Sequence, residues 1–259
     1  MEFANLDRRS LLRGIAASLA GMWINGCTSA PTVPETRRPR LSARPHTPGF
    51  TIQPGVHDLS STLNSDVTLY VPEGYDPQVP LPLFIALHGA GPSRDMMHNF
   101  YPVADEASVL LLIPKSRART WDMIVGGYGP DISTLDRALE YTFDNCAVAP
   151  NAVILGGFSD GASYALSVGL QNGDLLTWIT GFSPGFARVD EFVGKPEVFI
   201  SHGTQDAILP VALSRQIVAE LRQLDYKVTY REFEGPHTIP LELLREALSL
   251  AKGVAATTG

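Results

Sequence analysis

Short apolar runs alternate with longer amphipathic stretches along the chain from residue 50 onward. Most of the runs are apolar at successive positions rather than at alternate ones, which predicts strands buried on both faces, as in a parallel sheet. The predicted strands are residues 67–71, 83–87, 109–113, 152–155, 178–182, 198–201 and 228–233. The stretches between them repeat apolar residues at helical spacing, notably at 132–143, 213–221 and 243–251. The pattern therefore predicts an α/β fold, with a mostly parallel central sheet flanked by helices.

Composition limits the number of domains and the class of partner. A chain of 259 residues, 44% of them hydrophobic, can bury one large core, and we assign the folded domain to residues 51–259. The formal net charge of −7 leaves no broad basic surface, so nucleic acid is not an expected partner.

Residues 1–27 have the pattern of an export signal. Arg8 and Arg9 precede an apolar segment of eleven residues, 14–24, which is short for a membrane-spanning helix. This pattern resembles the twin-arginine signal of bacteria, which implies export of an already folded protein. The alternative is a buried amphipathic helix, although the apolar residues of the segment show little helical periodicity.

The end of this segment, Ile24-Asn25-Gly26-Cys27, resembles a bacterial lipoprotein cleavage site. The resemblance implies lipidation of Cys27, a periplasmic or cell-envelope location, and membrane contact only through the lipid. The alternative is an ordinary signal cleavage with no lipid. Cys146 is the other cysteine of the chain, so the domain at 51–259 has no internal disulfide.

Residues 28–50 contain five prolines and four arginines. A proline-rich composition predicts an extended linker between the signal and the domain. A disordered leader without a spacing role is the alternative.

Three loops that follow predicted strands carry candidate chemistry. In parallel sheets, ligands and catalytic groups gather outside the carboxyl ends of the strands. Ser159 follows the strand at 152–155, Asp206 follows the strand at 198–201, and His237 follows the strand at 228–233. Gly157 and Gly161 flank the serine in a strand-turn-helix setting, which is typical of a nucleophile elbow.

Serine, histidine and aspartate form a chemically complete set. A serine hydroxyl needs a base to act as a nucleophile, and a histidine base needs a carboxylate to hold its tautomer and stabilise its charged form. We therefore predict that Ser159, His237 and Asp206 are catalytic. Taken singly, Asp206 could cap the helix that follows it, and His237 could be a helix-start residue.

The segment Leu87-His88-Gly89-Ala90-Gly91 follows the strand at 83–87 and is a candidate for the oxyanion hole. The main-chain N–H groups of Ala90 and Asp160 are the predicted donors to the developing negative charge. An ordinary glycine-rich turn is the alternative. His88 and His202 lie at strand ends and are predicted to orient loops.

From about residue 60 to residue 252, these motifs resemble the α/β-hydrolases, in the esterase group of phospholipase/carboxylesterase-type enzymes, polyhydroxybutyrate depolymerases and feruloyl esterases. The matching segments are 88–91, 157–161, 203–206 and His237, and Thr120-Trp121-Asp122 resembles a segment of predicted members with the same elbow. One departure is Asp160, because better-known carboxylesterases have glutamine after the serine. The charge of Asp160 would lie near the oxyanion.

The resemblance implies a serine hydrolase that cleaves carboxylic esters through an acyl-enzyme. Residues 183–196, between two strands, are too few for a large cap domain, which favours an open site and short-chain or exposed esters, on a small molecule or a polymer. We expect no cofactor, and no metal site because no metal-ligand spacing occurs. Some apolar residues could line the acyl side or belong to the core: Met96, Met97, Phe100, Trp121 and Phe158.

Two other functions remain open at this point. A peptidase or an acyltransferase could use the same residues on the same fold, because a triad does not choose the leaving group or the acceptor. A surface-tethered binding lipoprotein could keep the fold without turnover. The sequence makes no prediction of the oligomeric state.

Overall fold

A computed structural model describes residues 39–91 and 93–258, and within them eight strands form one sheet. The strands are β1 Gly55–Asp58, β2 Val67–Val71, β3 Leu81–Leu87, β4 Leu110–Pro114, β5 Val148–Phe158, β6 Trp178–Phe182, β7 Glu197–Gly203 and β8 Val228–Phe233. Their order across the sheet is β1-β2-β4-β3-β5-β6-β7-β8. The first two pairings, β1 with β2 and β2 with β4, are antiparallel, and all the others are parallel.

Helices cover both faces of the sheet. They are α1 Ser60–Leu63, a 3₁₀ helix Ser93–Phe100, α2 Tyr101–Ala107, α3 Asp122–Val125, α4 Pro130–Asn145, α5 Asp160–Gly169, α6 Ala212–Gln223 and α7 Leu241–Thr258. One apolar cluster joins the sheet to α4, α5 and α6, and a second joins it to α2 and α7. In the part of the chain described, no helix combines the length and apolar character needed to cross a bilayer.

The predicted mostly parallel sheet with flanking helices is confirmed, and each of the seven predicted strands is present. Five short elements were missed, namely β1, α1, the 3₁₀ helix, α2 and α3. β1 is a four-residue edge strand with alternating exposure, and α2 is a seven-residue helix whose buried residues include Val103 and Ala104. Such short elements carry too little periodic signal to stand out from loop sequence.

The segment 39–46 packs on the folded body, although the sequence predicted a linker up to residue 50. Leu41 is 2% exposed, and its N–H donates to Asn172 Oδ1 at 2.9 Å. The guanidinium groups of Arg40 and Arg44 both bond Asp174, at 2.9 and 2.6 Å. The folded body therefore starts by residue 39. The export signal, Cys27 and residues 28–38 of the predicted linker lie outside the described residues.

The position of this segment follows from the direction of α5. That helix begins at the carboxyl end of β5 and runs back along the sheet, so Asn172 and Asp174, just beyond its end, lie towards the amino-terminal edge of the parallel strands. The segment 39–46 is therefore docked at the edge opposite the loops that carry Ser159, Asp206 and His237.

Candidate active site

Ser159 occupies the sharp turn between β5 and α5. Its backbone angles are φ 56° and ψ −118°, a conformation that a non-glycine residue adopts only at a cost of about 1–3 kcal/mol. Two main-chain bonds hold it there: the Ser159 N–H donates to Phe182 O at 2.9 Å, and the Ser159 carbonyl accepts from the Ser163 N–H at 3.0 Å. The elbow predicted from the sequence is therefore present as backbone geometry.

The two flanking glycines are explained by close backbone contacts. A Cβ atom on Gly157 would lie 2.3 Å from the carbonyl oxygen of Gly161. A Cβ atom on Gly161 would lie 2.4 Å from the carbonyl oxygens of both His88 and Leu87. No side chain fits at either position, so the tight turn requires glycine on both sides of the serine.

Asp206 and His237 are hydrogen-bonded to each other. They lie in the loops after β7 and β8, which are parallel neighbours in the sheet. His237 Nδ1 donates to Asp206 Oδ2 at 2.5 Å, while Asp206 Oδ1 accepts from the N–H groups of Ile208 and Leu209, each at 2.8 Å. The Asp206 side chain is fully buried, and that of His237 is 14% exposed. This pair has the geometry of an oriented histidine base.

The hydrogen bonds keep the Asp206 carboxylate charged. Burial acts to raise the pKa of Asp206, but the bonds from the Leu209 N–H, from His237 and from the Ile208 N–H outweigh it and hold the pKa below its ordinary value. A charged acceptor at Oδ2 leaves the His237 proton on Nδ1. The lone pair of His237 Nε2 is then available to accept a proton.

The Phe158 ring links the serine to the histidine. It packs on the His237 imidazole with 4.6 Å between ring centroids, and Phe158 directly precedes Ser159. Among the hydrogen bonds of the described residues, none joins Ser159 Oγ to His237. In hydrolases this bond is often long without substrate and tightens in the substrate complex.

The loop after β3 is held in place by its neighbours. His88 Nδ1 donates to Gly89 O at 2.6 Å, and His88 Nε2 accepts from the Ser116 N–H at 3.0 Å. Trp121 Nε1 donates to His88 O at 2.9 Å. Burial is the main cause that lowers the pKa of His88, in keeping with a neutral ring whose Nε2 accepts. His88 orients this loop, as the sequence predicted.

The same loop touches the elbow. A Cβ atom on Gly89 would lie 3.2 Å from Ser159 Cβ, so the main chain here passes close to the serine. Ala90, the next residue, is exposed. Asp160 is the first residue of α5, where main-chain N–H groups have no acceptor within the helix. Of the two predicted oxyanion donors, Asp160 directly follows Ser159, and Ala90 directly follows the residue that passes close to it.

Thr120 was missed as a site residue. Its hydroxyl donates to Asp160 Oδ2 at 2.6 Å, so the charge that departs from the carboxylesterase pattern has a hydrogen-bonded partner. Trp121, the next residue, bonds the carbonyl of His88. The resemblance of Thr120-Trp121-Asp122 to a recurring segment was the available signal. It did not indicate that the segment joins the loop after β3 to the elbow.

A cavity of about 660 Å³ is lined in part by Thr238 and Ile239, the two residues that follow His237 in the chain. Ser159 and His237 are not among its lining residues. The other lining residues are Met96, His98, Asn99, Phe100, Tyr101, Pro102 and Leu241.

Of the residues proposed for the acyl side, Met96 and Phe100 line this cavity. Met97 and Trp121 are each 1% exposed and belong to the core. Residues 183–196, between β6 and β7, contain no helix or strand, so no cap domain arises there. Across the described parts of the chain, no three histidine, cysteine, aspartate or glutamate residues form a group that could hold a metal ion.

Residues 126–252 match a family model described as Phospholipase/Carboxylesterase. Acyl-protein thioesterase 1 of Debaryomyces hansenii is 25% identical over 140 residues, which are 50% of this chain and 60% of that protein. Feruloyl esterase D of Neurospora crassa is 22% identical over 224 residues, which are 80% of this chain and 70% of that protein. The chain thus spans about three fifths of the length of the thioesterase.

Solved structures of esterases are similar in fold. Esterase PE8 superposes with a TM-score of 0.58 at 23% identity, covering 73% of this chain and 98% of that one. The Bacillus cereus carboxylesterase gives a TM-score of 0.57 at 18% identity, covering 76% of this chain and 97% of that one. These likenesses confirm the predicted α/β-hydrolase fold. With the family match and the two relatives, they support a carboxylic ester hydrolase.

The contacts of Gly161 predict a large loss of stability in Gly161→Ala. The new Cβ meets two main-chain oxygens that cannot move without distorting β3, so we expect the free energy of unfolding to fall by at least about 2 kcal/mol. Urea unfolding followed by circular dichroism measures it. Gly49→Ala is the control, because nothing lies within 4 Å of its Cβ position. Equal stabilities of the two variants would contradict the packing of the elbow.

Proposed function

We propose that this protein is a serine hydrolase that cleaves carboxylic esters through an acyl-enzyme, with Ser159 as nucleophile, His237 as base and Asp206 as the acid that orients it. The observation that carries the proposal is the strained backbone of Ser159 on the same edge of the sheet as a bonded Asp206–His237 pair. Neither feature is needed for an ordinary strand-to-helix turn.

In the first half-reaction, His237 Nε2 takes the proton of the Ser159 hydroxyl as Oγ attacks the ester carbonyl carbon. The charge on the imidazolium is stabilised by Asp206, and the proton then passes to the leaving alkoxide, which departs as the alcohol. In the second half-reaction, His237 takes a proton from water, and the resulting hydroxide attacks the acyl carbon. Ser159 leaves as the hydroxyl with that proton, and the acid is released.

The carbonyl oxygen becomes negatively charged in both half-reactions. The main-chain N–H groups of Ala90 and Asp160 are the proposed donors, and a donor of this kind is worth about 3 kcal/mol of barrier. The bonds of His88 and Trp121 that fix the loop support this role, because donors must be in place before the charge develops. The hydroxyl of Thr120 partly offsets the charge of the Asp160 carboxylate.

The cavity beside His237 is the proposed binding place for one side of the ester. Its walls are largely apolar, and the site lacks a cap between β6 and β7, which favours short-chain esters or esters exposed on a larger molecule. His98 Nε2 is buried with no partner among the described residues, and His98 lines this cavity. An acyl group that carries a polar end, such as a feruloyl group with its ring hydroxyl, would satisfy that nitrogen.

The names of the two relatives supply the substrates to test after simple esters: a feruloyl ester and an acyl-protein thioester. Both contain an acyl carbon that a serine can attack. Peptidase or acyltransferase activity on the same residues would be recognised from the products.

Removing the Ser159 hydroxyl should abolish turnover. We expect p-nitrophenyl acetate, butyrate and octanoate to be hydrolysed, and Ser159→Ala to lower kcat by at least about a thousandfold. Ser249→Ala, on the exposed side of α7, should leave the rates unchanged. Initial rates with all three esters measure this. A folded protein that is inert to these esters, to feruloyl esters and to acyl-protein thioesters would favour the binding lipoprotein.

Filling the cavity should change the chain-length preference. Leu241→Trp places a larger side chain in the cavity wall, so we expect kcat/KM for octanoate to fall about tenfold more than kcat/KM for acetate. Val79→Trp, at a position that is 52% exposed, is the control. If Leu241→Trp lowered kcat/KM equally for esters of all chain lengths, the cavity would not hold the acyl chain.

We also propose that residues 1–27 direct export and that Cys27 carries a lipid, so that the domain is held at the cell envelope. The twin arginines and the Ile24-Asn25-Gly26-Cys27 segment support this. In bacteria grown with labelled palmitate, the protein should become labelled and Cys27→Ala should not. A Cys27→Ala protein that still carries the label would contradict lipidation at this residue.

A further inference from the structure

A second histidine contacts the carboxylate of Asp206. His202, near the end of β7, is fully buried, and its Nε2 lies 3.1 Å from Asp206 Oδ2 and 2.8 Å from Leu209 O. Both neighbours are acceptors, because the first is a carboxylate oxygen and the second a carbonyl oxygen. His202 Nε2 must therefore carry a proton, which it donates to Leu209 O while lying close to the carboxylate.

The other side of the His202 ring is held as firmly. Nδ1 lies 2.6 Å from the hydroxyl oxygen of Ser214, a fully buried residue on α6. Across the sheet, Glu232 on β8 pairs with His202 in register, and Arg215 on α6 forms an ion pair with Glu232 at 2.7 Å. Asp206, Glu232 and Arg215 are therefore charged groups near the ring. Its orientation is thus set from β7, α6 and the loop after β7.

Asp206 Oδ2 accepts from His237 Nδ1 and lies 3.1 Å from His202 Nε2, while Oδ1 accepts from two main-chain N–H groups. We propose that His202 is a positioning residue for the reaction proposed above. Its Nε2–H bonds the carbonyl of Leu209, whose N–H bonds Asp206 Oδ1, and it lies against Oδ2, so that the carboxylate is held in place against His237. The inference rests on the proposed function, because it concerns the same base and acid.

Loss of the His202 ring has one consequence for Asp206 and one for His237. Without the Nε2–H bond to Leu209 O and the contact with Oδ2, Asp206 is held less firmly against His237. The carboxylate then stabilises the imidazolium less, which moves the acid limb of the pH–rate profile to lower pH.

The test compares His202→Asn with His202→Gln in the full-length protein. The glutamine amide reaches the position of Nε2, whereas the asparagine amide is too short. We expect His202→Asn to lower kcat/KM for p-nitrophenyl butyrate about tenfold, mainly in kcat, and to move the acid limb to lower pH. His202→Gln should restore most of the lost kcat/KM and most of the acid-limb position. Ser214→Ala should change these two quantities less, in the same direction. His57→Asn, on β1 at the far edge of the sheet, should change neither quantity.

A proton NMR spectrum gives a readout that does not depend on turnover. The Nδ1 proton of His237, in a 2.5 Å bond to Asp206, should give a resonance far downfield, and His202→Asn should move it while His57→Asn does not. If His202→Asn keeps the resonance and the acid limb of the folded wild-type protein, the proposal is overturned. A protein without esterase activity in which the resonance still moves would defeat the proposed function but not the coupling.

Discussion

The strained backbone of Ser159 is the constraint on which the rest of the site depends. A positive φ at a non-glycine residue is stable only when its neighbours hold it, and here β6 and the first turn of α5 do so through the bonds to Phe182 and Ser163. The turn is so tight that a Cβ atom on Gly157 or on Gly161 would lie within 2.4 Å of main-chain oxygens. The sheet register and the missing Cβ atoms of the two glycines together place the Ser159 hydroxyl at the carboxyl edge of the sheet.

The loops around the elbow are joined by buried polar contacts rather than by one element. Trp121 bonds the carbonyl of His88, His88 accepts from the Ser116 main chain, and Thr120 bonds Asp160. Unpaired buried polar groups are costly, so each of these bonds restricts the loop positions available to the folded chain. The site is therefore preorganised from three separate parts of the sequence, which suits electrostatic stabilisation of a developing charge.

The sequence predicted what depends on local pattern and on strand ends. Seven strands were found because their apolar runs stand out, and Ser159, Asp206 and His237 were found because each follows one of those runs. The docking of Leu41 was not predicted, since its proline- and arginine-rich surroundings are typical of a linker and its partner Asn172 lies 131 positions away. The contacts of His202 with Asp206 and of Thr120 with Asp160 were missed for a related reason: they depend on how loops fold over the sheet edge, which no periodicity encodes.

The central claim is that Ser159 is an activated nucleophile, and covalent labelling tests it most directly. The folded protein would be treated with a fluorophosphonate, and its intact mass and digested peptides measured by mass spectrometry. We expect a single adduct on the peptide that contains Ser159, and none in Ser159→Ala. A folded wild-type protein that stays unlabelled, or that carries the adduct on a different serine, would contradict the assignment of the nucleophile.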